Sequence, residues 1–278
     1  MKDSTHEIHP RLAIDAEALT KRLVHFLQDA VLRRHGFRRV VLGLSGGVDS
    51  AVVACLCERA LGREAVLALR MPYRDLAAGG LGMAQAVIDR LGIESETIDI
   101  TPIVDAYADA RPGMTWHRRG NVQARCRSMI LFDMLAERGT LPVGTGNRSE
   151  ILFGYFTQGG DDVPQVNPIG DLYKTQVLQL AAYLGVPPSI IEQPPSAGLE
   201  PDQTDEGDFG FSYGVADLVL SHLEGGFEDG HIRALGVTQA QIDAVRDRVT
   251  RTHRKRVPTL IPSVQPTAAD PTLFLRGG

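Results

Sequence analysis

The stretch from Val40 to Leu56, VVLGLSGGVDSAVVACL, sets the tightest limit on how this chain can fold. An apolar run suited to a buried strand ends at Leu44. Six mostly small or polar residues follow, Ser45-Gly46-Gly47-Val48-Asp49-Ser50, and then an apolar run resumes with helical spacing. A strand that feeds a helix through a glycine-rich turn presents backbone N–H groups at the positive end of the helix dipole, which suits an anion and above all phosphate. Two familiar phosphate loops are excluded. G-x-x-x-x-G-K-[ST] needs a spacing and a lysine that are absent, and for G-x-G-x-x-G the glycines Gly43, Gly46 and Gly47 stand at the wrong offsets. What sets this loop apart is a carboxylate inside an anion site, which makes sense if a cation such as Mg2+ bridges Asp49 to phosphate oxygens. The plainer alternative is that Asp49 or Ser50 only caps the helix after a tight turn.

The first half of the chain repeats the alternation. Helices are expected over residues 17–35, 50–61 (closed by Gly62), 83–91 (closed by Gly92) and 122–138, and strands in RRVVLGL, AVLALRM, SETIDI and LPVGT. Four such βα steps predict an α/β fold, a doubly wound, mainly parallel sheet with helices on both faces. Beyond Gly144 long irregular segments rich in Gly, Asp, Asn and Pro alternate with helices expected at 174–184, 213–223 and 239–253. No repeat or linker divides the chain. The expectation is one domain over 1–278, with 1–15 and 259–278 as flexible or peripheral termini.

Composition narrows the classes. A formal net charge of −5 argues against a surface built for nucleic acid. No apolar run approaches the ~20 residues that span a bilayer, and the N-terminus lacks the apolar core of a signal peptide, so no membrane is expected and a cytoplasmic location is. Cys55, Cys57 and Cys126 are too few for a disulfide framework and are expected as reduced thiols.

Ser45 to Ser50 resembles the pyrophosphate loop of the N-type ATP pyrophosphatases, which cleave ATP between the α and β phosphates. Four later segments narrow the resemblance: GTGNRSEILFGYFT, NPIGDLYKTQVLQLAAYLGVP, PPSAGLEPDQTDEGDFGFSY and THRKRVP. Together, and in the same order, they resemble the ammonia-dependent NAD synthetases, from about Leu42 to Pro258. The resemblance implies an adenine nucleotide alpha-hydrolase-like fold and a ligase reaction. Ammonia is joined to the nicotinate carboxyl of deamido-NAD through an acyl-adenylate, releasing AMP and pyrophosphate. A free carboxylate is a poor electrophile because its charge repels nucleophiles and its leaving group would be oxide. Adenylation removes both obstacles, and the enzyme then has to stabilise the charge gathering on pyrophosphate.

Carried onto this sequence, the resemblance implies that ATP is held by Gly43, Leu44, Ser45, Gly46, Gly47, Val48, Asp49 and Ser50 together with Thr145, Lys174 and Ser196. Ser196 stands where the family commonly has threonine. Mg2+ would be held by Asp49 and Glu150. For Glu150 the ordinary alternative is a capping or solvated glutamate, and for Lys174 an exposed first-turn lysine. Arg125, Gln158, Gln165, His253 and Arg254 would contact deamido-NAD, although the segment WHRRGNVQARCR also reads as a basic, solvated helix face. Asp49 and Lys174 are implied in the chemistry, and Asp161 is offered as the carboxylate that attracts ammonium and helps remove its proton.

Two positions depart from the family: Gln158 replaces a lysine and Gln165 an aspartate, so an opposite-charge pair has become neutral. The competing readings are a related ATP pyrophosphatase that amidates nicotinate mononucleotide or another acid, and a non-catalytic module that binds an adenine nucleotide. The second predicts loss of acidic ligands, yet Asp49 and Glu150 are both present. The chain shows no glutaminase segment, so free ammonia or a separate glutaminase is expected to supply nitrogen. A homodimer is implied, with helices near 122–138 and around Leu218 as candidate surfaces.

Overall fold

Apolar residues point alternately to the two faces of the central strand, and this decides the layering. The computed structural model describes residues 8–74, 78–196, 204–260 and 262. β1 (Arg39–Gly43) pairs in parallel with β2 (Val66–Arg70) on one side and β4 (Thr140–Pro142) on the other, and β3 (Glu94–Thr97) lies beyond β2, giving the order β3-β2-β1-β4. Val40 and Leu42, with Val66 and Ala68, join a core formed with α1 (Ala16–Gln28), α2 (Val48–Leu61), α3 (Ala78–Leu91) and a later helix, Lys174–Leu184. Val41, Leu67 and Leu69 face the other way, onto α4 (Thr101–Asp109) and α5 (Trp116–Arg138). Strands buried on both faces need nearly continuous apolar sequence, as VVL and VLAL supply. The expected doubly wound sheet is therefore present.

A second, aromatic-rich core holds the C-terminal half. It unites α6 (Arg148–Phe153), the start of α7 (Lys174–Leu184), α9 (Asp205–Phe209), α10 (Tyr213–Glu224), α11 (Asp229–Arg233) and α12 (Gln239–Arg251); α8 (Pro188–Ile191) follows α7. Leu12 is buried in this same core, and Arg11 Nη2 donates to the Ser221 carbonyl at 3.1 Å. Leu12 and Arg11 thus attach this segment to the C-terminal core. Most of the expected tail, 259–278, lies outside the described residues.

Several boundaries differ from the sequence reading. α2 starts at Val48, with Gly47 as an N-cap that offers no side chain, so Asp49 and Ser50 sit in the first turn and neither caps it. α3 begins at Ala78, before the expected Met83. Its glycines mask helical character, but Gly80 is needed: a Cβ there would stand 2.5 Å from the Ser45 carbonyl oxygen. α5 begins at Trp116 because Thr115 caps it, accepting from the Arg118 N–H at 3.3 Å. β3 ends at Thr97, and Asp99 then accepts from the Thr101 N–H at 2.8 Å to open the unanticipated α4. The expected helix over 17–35 is α1 followed by π-helical turns at Asp29–Arg34. α10 packs most of its length into its own core, and Leu218 is half-buried against it.

Candidate functional site

The order of the sheet reverses between β1 and β4, and in open α/β sheets the crevice at such a reversal, beyond the carboxyl ends of the strands, is where ligands bind. The Ser45–Ser50 loop leaves β1 at this point, and Thr145, Gly146 and Asn147 leave β4 beside it. The loop is organised from within. Ser50 Oγ donates to the Gly47 carbonyl at 3.0 Å and accepts from the Ser45 N–H at 3.3 Å, while the Gly47 N–H donates to Ser45 Oγ at 3.2 Å. Gly46 has φ +89°, and a Cβ on it would meet the Gly80 carbonyl oxygen at 2.3 Å, so α3 closes one side of the loop and only glycine fits at the contact. With no side-chain cap at Gly47, the first N–H groups of α2 are left facing the crevice.

Asp49 meets Asn147, Glu150 and Lys174 here. Asn147 Nδ2 donates to Asp49 Oδ1 at 3.1 Å, and Lys174 Nζ forms an ion pair with Asp49 Oδ2 and lies 3.9 Å from Glu150 Oε1. Glu150 is also a capping residue: the Asn147 N–H donates to Glu150 Oε2 at 3.1 Å, and the Glu150 N–H donates to Asn147 Oδ1 at 3.0 Å. The capping reading thus holds, and the same side chain also lies beside Lys174. Lys174 is only 2% exposed, so it is no ordinary first-turn lysine.

The electrostatics follow from burial and convergence. Burial pushes the Glu150 carboxyl well above the usual carboxylate range, the Asp49 charge pushes it further, and Lys174 offsets only part of this. Burial alone would lower the Lys174 ammonium, but the charges of Asp49 and Glu150 outweigh it and hold the lysine above its ordinary value. Two oxygen-donating carboxylates here share one ammonium. That donor set fits Mg2+, which prefers one or two carboxylates and completes its shell with water and substrate phosphate oxygens. Among the described residues no group of three His, Cys, Asp or Glu side chains forms a complete metal cage, so a bound ion would have to draw further ligands from elsewhere.

A second cluster gathers the residues expected at the acid substrate. Arg125 Nε donates to the Gln158 carbonyl at 3.1 Å, and Arg254 Nη1 donates to Gln158 Oε1 at 3.3 Å. His253 precedes Arg254 in the short turn His253–Arg256 and is exposed. Asp161 Oδ1 accepts from the Thr157 N–H at 2.7 Å, and Thr157 Oγ1 donates to Asn121 Oδ1 on α5 at 2.8 Å. The residue is exposed at its edge, yet the protein packed around the carboxyl raises its pKa. Gln165 is exposed beside Val166, which bridges to Val143 at the end of β4. Thr145 is half-buried in the crevice, whereas Ser196 is exposed next to Pro195, whose carbonyl accepts from the Asp205 N–H at 2.9 Å.

The four arginines of WHRRGNVQARCR do not make one solvated face. Arg119 Nη1 donates to Tyr73 Oη at 2.9 Å and stacks over Trp116, and Arg127 Nε donates to the Met71 carbonyl at 3.1 Å. Four participants escaped the sequence reading. Asn147 could have been found from the capping signature N-x-x-E, and Gly80 from a glycine cluster inside a helical pattern. Asp205, 3% exposed and pushed upward by burial, accepts from the Tyr213 hydroxyl at 2.9 Å, and the Tyr213 ring lies 5.4 Å from Lys174 Nζ. No local pattern links these two to Lys174.

The chain matches the NAD synthase family over residues 19–259. An NH3-dependent NAD+ synthetase of Chlorobaculum parvum is 47% identical over 251 residues, covering 90% of each chain. One of the same name from Fusobacterium nucleatum is 41% identical, covering 92% of this chain and 99% of the relative. Among solved structures, NMN synthetase from Francisella tularensis is similar with a TM-score of 0.80 at 31% identity, over 90% of this chain and 100% of that one. The NH3-dependent NAD synthetase of Campylobacter jejuni, in complex with the nitrate ion, gives 0.76 at 33% identity with the same coverage. With a matched fold, a glycine-loop crevice and close relatives along nearly the whole chain, this protein belongs to the NAD synthase family, among its ammonia-dependent ligases.

Proposed function

We propose that this chain joins ammonia to the nicotinate carboxyl of deamido-NAD, with ATP adenylating the carboxyl and AMP and pyrophosphate leaving. The observation that carries the reading is the convergence of Asp49, Glu150 and Lys174 beneath the uncapped start of α2. The N–H groups of the 43–50 loop and the dipole of α2 hold the phosphates, with Thr145 and Ser196 as further ATP contacts. Lys174, a compact point charge, follows the phosphate oxygens as the α–β bond breaks. Asp49 and Glu150 would hold Mg2+, which when bound would supply positive charge against that developing on the leaving pyrophosphate. Arg125, Gln158, His253 and Arg254 hold the acid dinucleotide, and Gln165 contacts it from the β4 side. Asp161 attracts ammonium and takes a proton from it, so that neutral ammonia attacks the acyl carbon.

The same reading places the enzyme in the cytoplasm, acting as a single domain on free ammonia or on ammonia from a separate glutaminase. Among the described residues no helix is long and apolar enough to cross a membrane. The proposed assembly is a homodimer through the α4–α5 face, which exposes Ile103, Tyr107, Trp116, Met129 and Phe132. One observation supports a second acid substrate. The neutral Gln158 lies between Arg125 and Arg254, and a relative of similar fold is an NMN synthetase. The test is a turnover assay with ATP, Mg2+ and ammonium that compares deamido-NAD with nicotinate mononucleotide and follows pyrophosphate and amide product. Amidation of deamido-NAD is expected to dominate; if neither acid is amidated, the proposal fails.

A further inference from the structure

α7 brings Lys174 to the site as its first residue, yet its N-cap, Tyr173, supplies no side-chain acceptor for the open N–H groups. Those groups are satisfied from other elements. The Lys174 N–H donates to Ser149 Oγ at 3.0 Å, Ser149 Oγ donates to Asp217 Oδ1 at 2.6 Å, and the Thr175 N–H donates to Asp217 Oδ2 at 2.8 Å. Ser149 and Asp217 are both fully buried. Ser149 adjoins Glu150 on α6, and Asp217 lies on α10, so one carboxylate ties together the helix that carries Glu150 and the helix that carries Lys174. A charged acceptor at a helix start also interacts favourably with the dipole.

We propose that Asp217 is the positioning residue of the phosphate end of the site: through Ser149 and the first two N–H groups of α7, it fixes where Glu150 and Lys174 stand relative to Asp49. Neither Asp217 nor Ser149 touches the crevice; both act through the two helices. The inference deepens the proposed function and rests on it for the roles of Glu150 and Lys174. Asparagine at 217 keeps the shape but loses one acceptor, so either the Thr175 N–H or the Ser149 hydroxyl goes unpaired. Alanine at 149 removes the middle of the same relay.

The experiment compares the whole enzyme with D217N, S149A and the double variant. It measures kcat, the KM values for ATP and deamido-NAD, and ATP affinity by calorimetry in the presence of Mg2+. Each single variant is expected to lose roughly tenfold in kcat and to weaken ATP binding several-fold, because misplacing reacting groups by a fraction of an ångström is costly. The KM for deamido-NAD should change less than about twofold, and the double variant should be no worse than the poorer single one, since both cut one relay. A merely structural role would instead lower the amount of folded enzyme and leave both KM values unchanged. Unaltered ATP affinity and kcat in folded S149A, or losses that multiply in the double variant, would overturn the proposal. A wild-type enzyme that amidates neither acid would sink the functional reading instead, while the calorimetric comparison would still decide the role of Asp217.

Discussion

Removing the Lys174 charge with K174M leaves Asp49 and Glu150 facing each other in a nearly closed site. The Lys174 side chain is 3% exposed, and those of Asp49 and Glu150 are 17% and 19% exposed, so solvent screens the trio weakly. At 3.9 Å from Glu150 Oε1, the ammonium contributes about 4 kcal/mol at an effective dielectric constant near 20. The ion pair with Asp49 adds to this, and relief from burying the ammonium subtracts. Breaking one member of such a buried group costs about 3–5 kcal/mol overall, and K174M is expected to lose that much stability at about pH 8. The loss should depend on pH with a definite sign. The folded-state pKa of Glu150 lies above its unfolded value of 4.5. Its contribution to stability is therefore complete below 4.5 and falls away as pH rises through the folded value. Without Lys174 the folded value moves higher still, so K174M should regain part of its deficit as pH falls from 8 to 5 and Glu150 is protonated. Lys174 itself, held above its ordinary value of 10.5, keeps its full contribution throughout that range. The assay is urea unfolding of both proteins at the two pH values, with and without Mg2+. Magnesium should stabilise K174M more than wild type, because the ion replaces a missing positive charge. An equal deficit at both pH values, or a variant as stable as wild type at pH 8, would refute this account of the site.

Further outcomes follow from the same geometry. G46A places a Cβ 2.3 Å from the Gly80 carbonyl oxygen at a φ of +89°, and should cost about 1–3 kcal/mol of stability and weaken ATP binding measured by calorimetry. Burial pushes the Asp217 carboxyl up to about 6 from 3.8, so its contribution to stability is present below 3.8 and lost as pH rises through about 6. D217N should therefore flatten the stability–pH curve between those values by roughly 3 kcal/mol, and an unchanged slope in urea titrations would contradict it. M129D, at a side chain 54% exposed on α5, should convert a dimer to a monomer in light scattering and leave the melting temperature of the subunit little changed.

The loop after β1 was legible because its geometry is local. Gly46, Gly47, Asp49 and Ser50 lie within one turn, and a strand–glycine–helix pattern leaves few structures besides an anion loop. Glu150 and Lys174 were placed by resemblance, and the structure brings both to Asp49. The second cluster was less legible. Arg125, Gln158 and Arg254 come from three distant segments and meet. The start of α3 was missed because its glycines read as poor helix formers, although Gly80 is required by the backbone of Ser45 and Gly46.

By itself the amino-acid order determined the alternation of strands and helices, the loop after β1 and the acidic character inside it, since these depend on neighbours within a few residues. Only the tertiary structure decided that Asp217 and Ser149 cap the helix of Lys174, that Asn147 holds Asp49, and that one buried ammonium serves two carboxylates. Hydrogen bonds and charge pairs between residues about a hundred positions apart have no periodicity to betray them. They exist because the sheet order β3-β2-β1-β4 places the ends of β1 and β4 side by side, and the helices that follow must satisfy their polar groups in the space between.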